Sequence, residues 1–97
     1  MIINREERTV IVKGSVVTLE DYELFKDMVS DSLKENKNEL NIIFEDATLV
    51  NSAMIGFLIK TVKVDKVNLS IAVDNYKLYE LLQMLSLVET LKVTKVK

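Results

Sequence analysis

The sequence predicts an α/β domain: a single mixed, mostly parallel sheet of four to five strands, with helices packed on one face. β-Branched and apolar runs alternate along the chain with segments of helical periodicity, which favours parallel strands joined by crossover helices. The later strands alternate apolar with polar residues, as in the stretch 67–73. That period of two predicts a sheet with one apolar face and one polar face.

The composition is that of one globular domain spanning residues 1–97. Hydrophobic residues make up 48% of the chain and charged residues 29%, which is enough for a core and an ordinary surface. The net charge of -2 and the isoelectric point near 5.1 argue against a nucleic-acid partner. The chain has neither cysteine nor histidine, so disulfides, thiol nucleophiles and imidazole bases are excluded.

The chain also lacks features that would point to a membrane or a nucleotide. No window approaches the ~18 apolar residues of a membrane span, and the first residues carry no signal-peptide apolar core. No glycine-rich phosphate loop is present, so a nucleotide site has little support. We therefore expect a cytoplasmic, non-enzymatic protein that needs no cofactor and no metal and does not insert into a membrane.

The first half of the chain predicts two strands and a helix. Ile2 and Ile3 form a short strand, residues 5–8 a polar turn, and residues 9–13 a β-branched strand that ends at Gly14. Thr18 is the expected N-cap of the first helix, with acids in the first turn. The helix has a core stripe at three- and four-residue spacing and ends in a polar loop at 35–38; the stripe comprises Tyr22, Phe25, Met28, Val29, Ser32 and Leu33.

The second half predicts a central strand at 40–44, a helix at 52–64, a strand at 67–73, a third helix and a last strand at 91–94. Asp74 or Asn75 is the expected cap of the third helix, which has a core stripe of Leu78, Leu81, Leu82 and Leu85. The expected core stripe of the second helix is Ile55, Leu58, Ile59 and Val62. The last strand carries Lys92, Lys95 and Lys97, which are typical of a guarded sheet edge.

Met54 and Phe57 lie on a different side of the second helix from its expected core stripe. Two interpretations are open. Exposed beside a helix N-terminus, the two side chains would form a partner-contact patch. Alternatively, both pack against the first helix.

The start of the second helix resembles a motif of the STAS domain family, typified by bacterial anti-sigma-factor antagonists. In that family a strand ends in an acid, and Asp-Ser-Ser-Gly-Leu-Gly then opens a helix. In this chain, Phe44–Asp46 is similar to that strand end. Asn51 lies at the motif's Asp, Ser52 at its first Ser and Ala53 at its second Ser; Met54, Ile55 and Gly56 complete it.

Two further segments carry the resemblance, which covers roughly residues 9–93. The segment 14–17 is similar to the family's Gly-Glu-Leu-Asp after the second strand, with Val17 in place of the Asp. The segment 82–91 is similar to the ending of the family's third helix, with Ser86 where a glycine is common.

The resemblance implies a phosphorylation switch in transcription regulation. In the family a partner anti-sigma kinase phosphorylates the second Ser, and the unmodified form binds that partner and frees a sigma factor. A helix N-terminus tolerates phosphate, and the added charge expels an acidic or apolar partner. Ala53 has no hydroxyl and Val17 has no acid, so the standard switch is not expected here. Ser52 is the remaining phosphorylation candidate, although a serine there also suits a plain N-cap.

We therefore expect a regulatory protein-interaction module, a monomer or weak dimer, that docks through the loop and N-terminus of the second helix. The expected contact residues are Asn51, Ser52, Ala53, Met54 and Phe57. Its partner is an anti-sigma factor or related kinase, or else the module is an accessory subunit of a larger signalling or transport assembly.

A competing hypothesis places a carboxylate site at the ends of two strands. Glu45 and Asp46 follow the central strand, and Asp74 follows the next. Ligands bind at this edge of open α/β sheets, and three acids could hold Mg²⁺ as in a receiver-like phosphoacceptor.

Overall fold

The computed structural model describes residues 1–36 and 38–96. Lys37, in the predicted loop after the first helix, and Lys97, one of the predicted edge lysines, lie outside the described residues. The elements in chain order are β1 (Ile2–Glu6), β2 (Thr9–Lys13), α1 (Leu19–Glu35), β3 (Glu39–Glu45), α2 (Ser52–Lys63), β4 (Asn68–Val73), α3 (Tyr76–Met84) and β5 (Val93–Lys95).

The five strands form one sheet in the order β1-β2-β3-β4-β5. β1 pairs with β2 in antiparallel fashion, and every later pair is parallel. Each parallel connection moves one strand further in the same direction. Because such crossovers are right-handed, three in succession place their helices on the same face of the sheet. The predicted fold class is therefore confirmed.

Burial follows this arrangement strand by strand. The side chains that face the helices are buried, whereas their neighbours along each strand are half-buried or exposed. The inner set from the strands comprises Val10, Val12, Leu40, Ile42, Phe44, Leu69, Ile71, Val73 and Val93. No helix of residues 1–36 or 38–96 lies over the opposite face. Half-buried Ile11, Ile43 and Ala72 lie side by side at its centre. There Ser70 Oγ and Asn41 Oδ1 are 2.6 Å apart and hydrogen-bonded.

The first hairpin is tighter than the sequence predicts. The predicted polar turn over residues 5–8 is too long, because Arg5 and Glu6 belong to β1 and the turn consists of Glu7 and Arg8 alone. Arg5 lies on the helix-facing side of β1, where its guanidinium meets the Glu35 carboxylate at 3.1 Å. A strand predicted from apolar residues alone ends too early here. Arg5 continues the strand because its charge is paired with Glu35 on α1.

α1 begins where predicted. Thr18 Oγ1 accepts a hydrogen bond from the N–H of Asp21 at 3.0 Å, and the Asp21 carboxylate accepts from the N–H of Thr18. This capping box satisfies N–H groups that have no partner within the helix. The buried face of α1 consists of Phe25, Val29 and Ser32, and Ser32 is tolerated there because its hydroxyl donates to the carbonyl of Glu7 at 3.2 Å.

α3 completes the helical layer. Its N-cap is Asn75, whose side chain accepts from the N–H of Lys77 at 2.8 Å. Leu78 and Leu82 are buried, Leu81 is half-buried and Leu85 is exposed, so the predicted leucine stripe is only partly inside. In the parts of the chain that the structure describes, no helix is long and apolar enough to cross a membrane.

Candidate docking site at the start of the second helix

A short parallel bridge joins the two segments that lead into α1 and α2. Val16 pairs with Val50, and the N–H of Val16 donates to the carbonyl of Leu49 at 3.0 Å. Both valines are buried. Because side chains alternate along extended backbone, Ser15 and Val17 on one segment face outward together with Leu49 and Asn51 on the other.

Ser15 fixes the loop that precedes α2. Its Oγ accepts hydrogen bonds from the N–H of Thr48 at 3.0 Å and from the N–H of Leu49 at 3.2 Å. The N–H of Gly14 donates to the carbonyl of Glu45 at 2.8 Å, which extends the contact between the two segments toward the sheet. The loop is therefore held to the chain after β2 by main-chain and side-chain bonds rather than by apolar packing alone.

Asn51 connects the starts of both helices. Its Oδ1 accepts from the N–H of Met54 at 2.9 Å, which makes Asn51 the N-cap of α2. Its Nδ2 donates to the carbonyls of Val17 at 3.3 Å and Thr18 at 3.2 Å, just before α1. An asparagine can serve both purposes because its amide carries an acceptor and a donor group.

Four outward residues around this cap form what we call the junction patch: Val17, Leu49, Ser52 and Ala53. Val17 is 57% exposed and Leu49 is 47% exposed. Ser52 and Ala53, the first two residues of α2, are also exposed. No acid lies in the first turn of α2. The junction patch is therefore an uncharged, partly apolar surface over a hydrogen-bonded frame.

The predicted contact residues divide between the surface and the core. Asn51 is half-buried and Ser52 and Ala53 are exposed. Met54 is 0% exposed, so the interpretation that its side chain is exposed beside the helix N-terminus is wrong. Phe57 is half-buried; its ring meets Tyr22 edge-on at 6.1 Å and Phe25 at 6.0 Å between centroids. The alternative, that it packs against α1, is the observed arrangement.

The buried face of α2 differs from the predicted core stripe by a rotation about the helix axis. The buried residues are Met54, Leu58 and Thr61, whereas Ile55, Ile59 and Val62 are half-buried. The cause is Thr61, whose hydroxyl donates to the carbonyl of Phe57 at 2.8 Å and so needs no water. A pattern that counts only apolar side chains omits this position and shifts the stripe toward the isoleucines.

Ser52 is not the N-cap that its sequence position suggested. Asn51 takes that role, and Ser52 is the first residue of α2. Its side chain is exposed. The hydroxyl is therefore accessible at a helix N-terminus, one residue before the position of Ala53.

The carboxylates of the competing hypothesis serve the loop structure. The N–H of Asp46 donates to the Asp74 carboxylate at 3.0 Å, and Asp46 has a φ of 55°. Asp74 thus stabilises a left-handed turn, and Asn75 rather than Asp74 caps α3. Over residues 1–36 and 38–96, no three acidic or other metal-ligating side chains form a group that could hold an ion. The geometry gives the magnesium hypothesis no support.

Sequence reasoning missed Ser15 and Leu49 as parts of this site. The signal that could have identified them is alternation of side chains along the backbone. Ser15 lies next to buried Val16 and two positions before Val17, and Leu49 lies next to buried Val50 and two positions before Asn51. A segment of only three residues is too short for that alternation to be distinguished from a loop.

In comparisons of the sequence with known proteins, neither a protein-family model nor a curated protein matches the chain. The similarity to STAS domains accordingly depends on the residues quoted above and on an architecture that many unrelated functions share.

Proposed function

We propose that this chain is a regulatory protein-interaction module of the anti-sigma-factor-antagonist kind, which docks its partner through the junction patch. The observation that carries the proposal is the exposure of Val17 and Leu49 beside the cap of α2. Apolar side chains held on a fixed frame gain free energy when a partner removes them from water, about 25 cal/mol per Å². In this role the module is a cytoplasmic bacterial protein, monomeric or weakly dimeric.

In this proposal, binding does not depend on the family's switch serine. The family's switch serine corresponds to Ala53, which cannot carry phosphate, and the family's acid corresponds to Val17. Both departures replace polar groups with apolar ones on the same surface. The partner is an anti-sigma factor or a related kinase whose docking surface is apolar.

Ser52 offers a different way to regulate the same surface. A phosphate on its exposed hydroxyl would meet the free N–H groups and the positive end of α2. It would also add nearly two negative charges beside Val17 and Leu49, which would expel an apolar partner. This modification replaces the missing switch at the neighbouring position.

The alternative within the same class is an accessory subunit of a larger signalling or transport assembly. The surface requirements are the same, since either partner has to cover the junction patch. The two differ in the identity and stoichiometry of what is bound, so the same purification distinguishes them.

The test is affinity purification from the native cell with four forms of the chain. Ala53→Glu and Val17→Asp place a charge within the junction patch, and Gln83→Glu adds the same charge on the exposed side of α3. We expect wild type and Gln83→Glu to retain one partner and the two patch variants to lose it. Circular dichroism checks that all four forms are folded.

Mass spectrometry of the purified partner and of the chain completes the experiment. A sigma-factor regulator or kinase supports the antagonist role, and stoichiometric recovery of several subunits supports the assembly role. Equal recovery of the same partner by Ala53→Glu, Val17→Asp and wild type would overturn docking through the junction patch. Phosphate on Ser52 in the unbound fraction alone would support its regulatory role.

A further inference from the structure

The outer edge of β1 has main-chain groups directed away from the sheet. The N–H of Asn41 donates to the carbonyl of Arg8 at 2.9 Å, and the N–H of Gly14 donates to the carbonyl of Glu45. The even-numbered residues of β2 therefore bond to β3. Main-chain groups alternate between the two sides of a strand, so Thr9, Ile11 and Lys13 bond to β1.

The partners of those residues in β1 are Glu6, Asn4 and Ile2. Ile3 and Arg5 lie between these residues in the strand, so their N–H and C=O groups point away from β2. Across residues 1–36 and 38–96, β1 pairs with no strand except β2. The free edge ends at Glu7, whose carbonyl accepts from the Arg5 guanidinium at 2.9 Å and from the Ser32 hydroxyl at 3.2 Å.

The two edges of the sheet differ in how they are protected. β5 has three residues and ends at Lys95, with Lys92 just before it, and short, lysine-bearing strands resist the addition of another strand. β1 has five residues without lysine or proline. Its register runs unbroken from Ile2 opposite Lys13 to Glu6 opposite Thr9, so no bulge distorts it. The β1 edge is therefore the more receptive of the two.

The flank of α1 above this edge is acidic. Helical spacing places Glu20, Leu24, Asp31 and Glu35 on one side of the helix, and the ion pair of Glu35 with Arg5 shows that this side overlies β1. Leu24 is 54% exposed. A shallow depression of about 450 Å³ surrounds it, lined also by Glu20, Asp21, Glu23 and Asp27.

We propose that the β1 edge accepts an extended, lysine- or arginine-bearing segment of another protein as a sixth strand. Outward groups on alternate residues, here Ile3 and Arg5, match the hydrogen-bond pattern of an added strand. The carboxylates of α1 attract a basic segment, and Leu24 contacts the aliphatic stems of its side chains. A second copy of this chain would bring the same acidic flank against itself, which opposes self-pairing.

The β1 edge is separate from the junction patch, although the depression above it extends to Asp21, which accepts from the N–H of Val17 in that patch. α1 meets α2 through Tyr22 on one flank, and the β1 edge lies under the opposite flank. The two proposals can therefore fail independently.

The test follows amide hydrogen exchange in the ¹⁵N-labelled chain by NMR. The chain is titrated with a peptide of alternating lysine and valine, and with a matched peptide of alternating glutamate and valine. We expect the amides of Ile3 and Arg5 to exchange more slowly with the lysine peptide alone. Added salt should weaken the effect, because exposed charges are screened.

Two charge-neutralised variants locate the contact. Glu20→Gln with Asp31→Asn removes two acids above the edge. Glu80→Gln with Glu89→Gln removes two exposed acids elsewhere, so both double variants have the same net charge. The first should weaken peptide binding about threefold or more, and the second should leave it unchanged.

Three results would overturn the proposal: no protection of Ile3 and Arg5 by the lysine peptide, equal protection by the glutamate peptide, or equal weakening by both double variants. Protection of the same amides that grows with protein concentration and without peptide would assign the edge to a second copy instead.

Discussion

At the scale of single residues, Asn51 has the largest structural role in the candidate site. Its amide oxygen caps α2 and its amide nitrogen holds two carbonyls before α1. The STAS-like pattern has an aspartate here, which could accept the same capping bond but could not donate. The choice of asparagine is thus explained by the carbonyls of Val17 and Thr18.

We expect Asn51→Ala to lower the free energy of unfolding by about 1–2 kcal/mol, because the cap is lost. Asn51→Asp should be destabilising by about 1 kcal/mol, since the cap survives but a carboxylate faces two carbonyl oxygens. Urea denaturation measures both. Ser52→Ala, at the exposed neighbour, should change stability by less than about 0.5 kcal/mol; equal losses at both positions would contradict the bridging role of Asn51.

Ser86 is a second residue whose role depends on backbone geometry. It follows α3 with a φ of 60°, in the left-handed region that glycine adopts without a steric cost. Its N–H donates to the carbonyl of Gln83 at 2.9 Å. The turn is therefore formed despite the serine, at the position where the STAS-like pattern often has glycine.

Ser86→Gly should raise the free energy of unfolding by about 0.5–1 kcal/mol, because the left-handed conformation costs an L-residue about 1–2 kcal/mol and glycine's greater freedom in the unfolded chain offsets part of that gain. Ser30→Gly, the same substitution on the exposed face of α1, should lower it by a similar amount. Thermal or urea denaturation checks the opposite signs. A loss of stability in both variants would show that backbone strain at Ser86 is negligible.

At the scale of elements, the start of α1 shows how a helix is fixed by charge and hydrogen bonds. The Asp21 carboxylate accepts from the N–H groups of Thr18 and Val17. These bonds, that of Thr18 first, lower the pKa of Asp21 below its ordinary value of 3.8. A carboxyl with a lowered pKa in the folded chain adds stability above its unfolded pKa and loses it as pH falls through the folded one.

We expect Asp21→Asn to be less stable than wild type at neutral pH. The difference should shrink as the pH falls below 3.8, the ordinary value for the carboxyl, because wild type then becomes protonated too. Urea denaturation at a series of pH values gives the two curves. Asp27→Asn, on the exposed outer side of the same helix, is the control. A gap for Asp21→Asn that is constant with pH would show that the charge of Asp21 does not stabilise α1.

α2 shows a different principle, since its buried face includes a polar residue. Thr61 is 1% exposed and lies on the buried face of α2 with Met54 and Leu58. The hydroxyl bond to Phe57 makes this burial tolerable. The orientation of α2 that buries Thr61 also buries Met54 and turns Ala53 outward.

At the scale of the whole molecule, the three helices in the described part of the chain all lie on one face of the sheet. This asymmetry follows from the strand order, because each crossover advances in the same direction. Adjacent residues of β3 therefore have different environments. Ile42 is in the core, and Ile43 lies half-buried on the uncovered face.

Ile42→Ala should lower the free energy of unfolding by about 2–5 kcal/mol, as for other buried large-to-small substitutions. Ile43→Ala should cost less than half as much, although the loss of β-branched character is the same. Differential scanning calorimetry should show this as a larger fall in melting temperature for Ile42→Ala, at about 4–8 °C per kcal/mol for a domain of this size. Equal falls would indicate that another structure covers the Ile43 face in solution.

The sequence by itself determined the order and type of the elements, the N-cap of α1 and the one-sided sheet. These features follow from periodicity, capping chemistry and crossover handedness, which are local or topological properties. Capping chemistry is evident at Thr18, and periodicity is evident in the alternation of β4 and the apolar run of β3. The strand ends shifted by up to three residues where a charged residue such as Arg5 finds a distant partner, which no local pattern contains.

Only the tertiary structure decided which residues are available at the candidate site. Met54 is buried on the face of α2 that also carries Leu58 and Thr61. Val17 and Leu49 are exposed on two segments that Ser15 and Asn51 hold together. The bonds of Ser15 to Thr48 and of Asn51 to Val17 join segments about thirty residues apart. So does the ion pair that sets α1 over the β1 edge. Contacts at such separations depend on how the elements pack, and a pattern within one element carries no information about them.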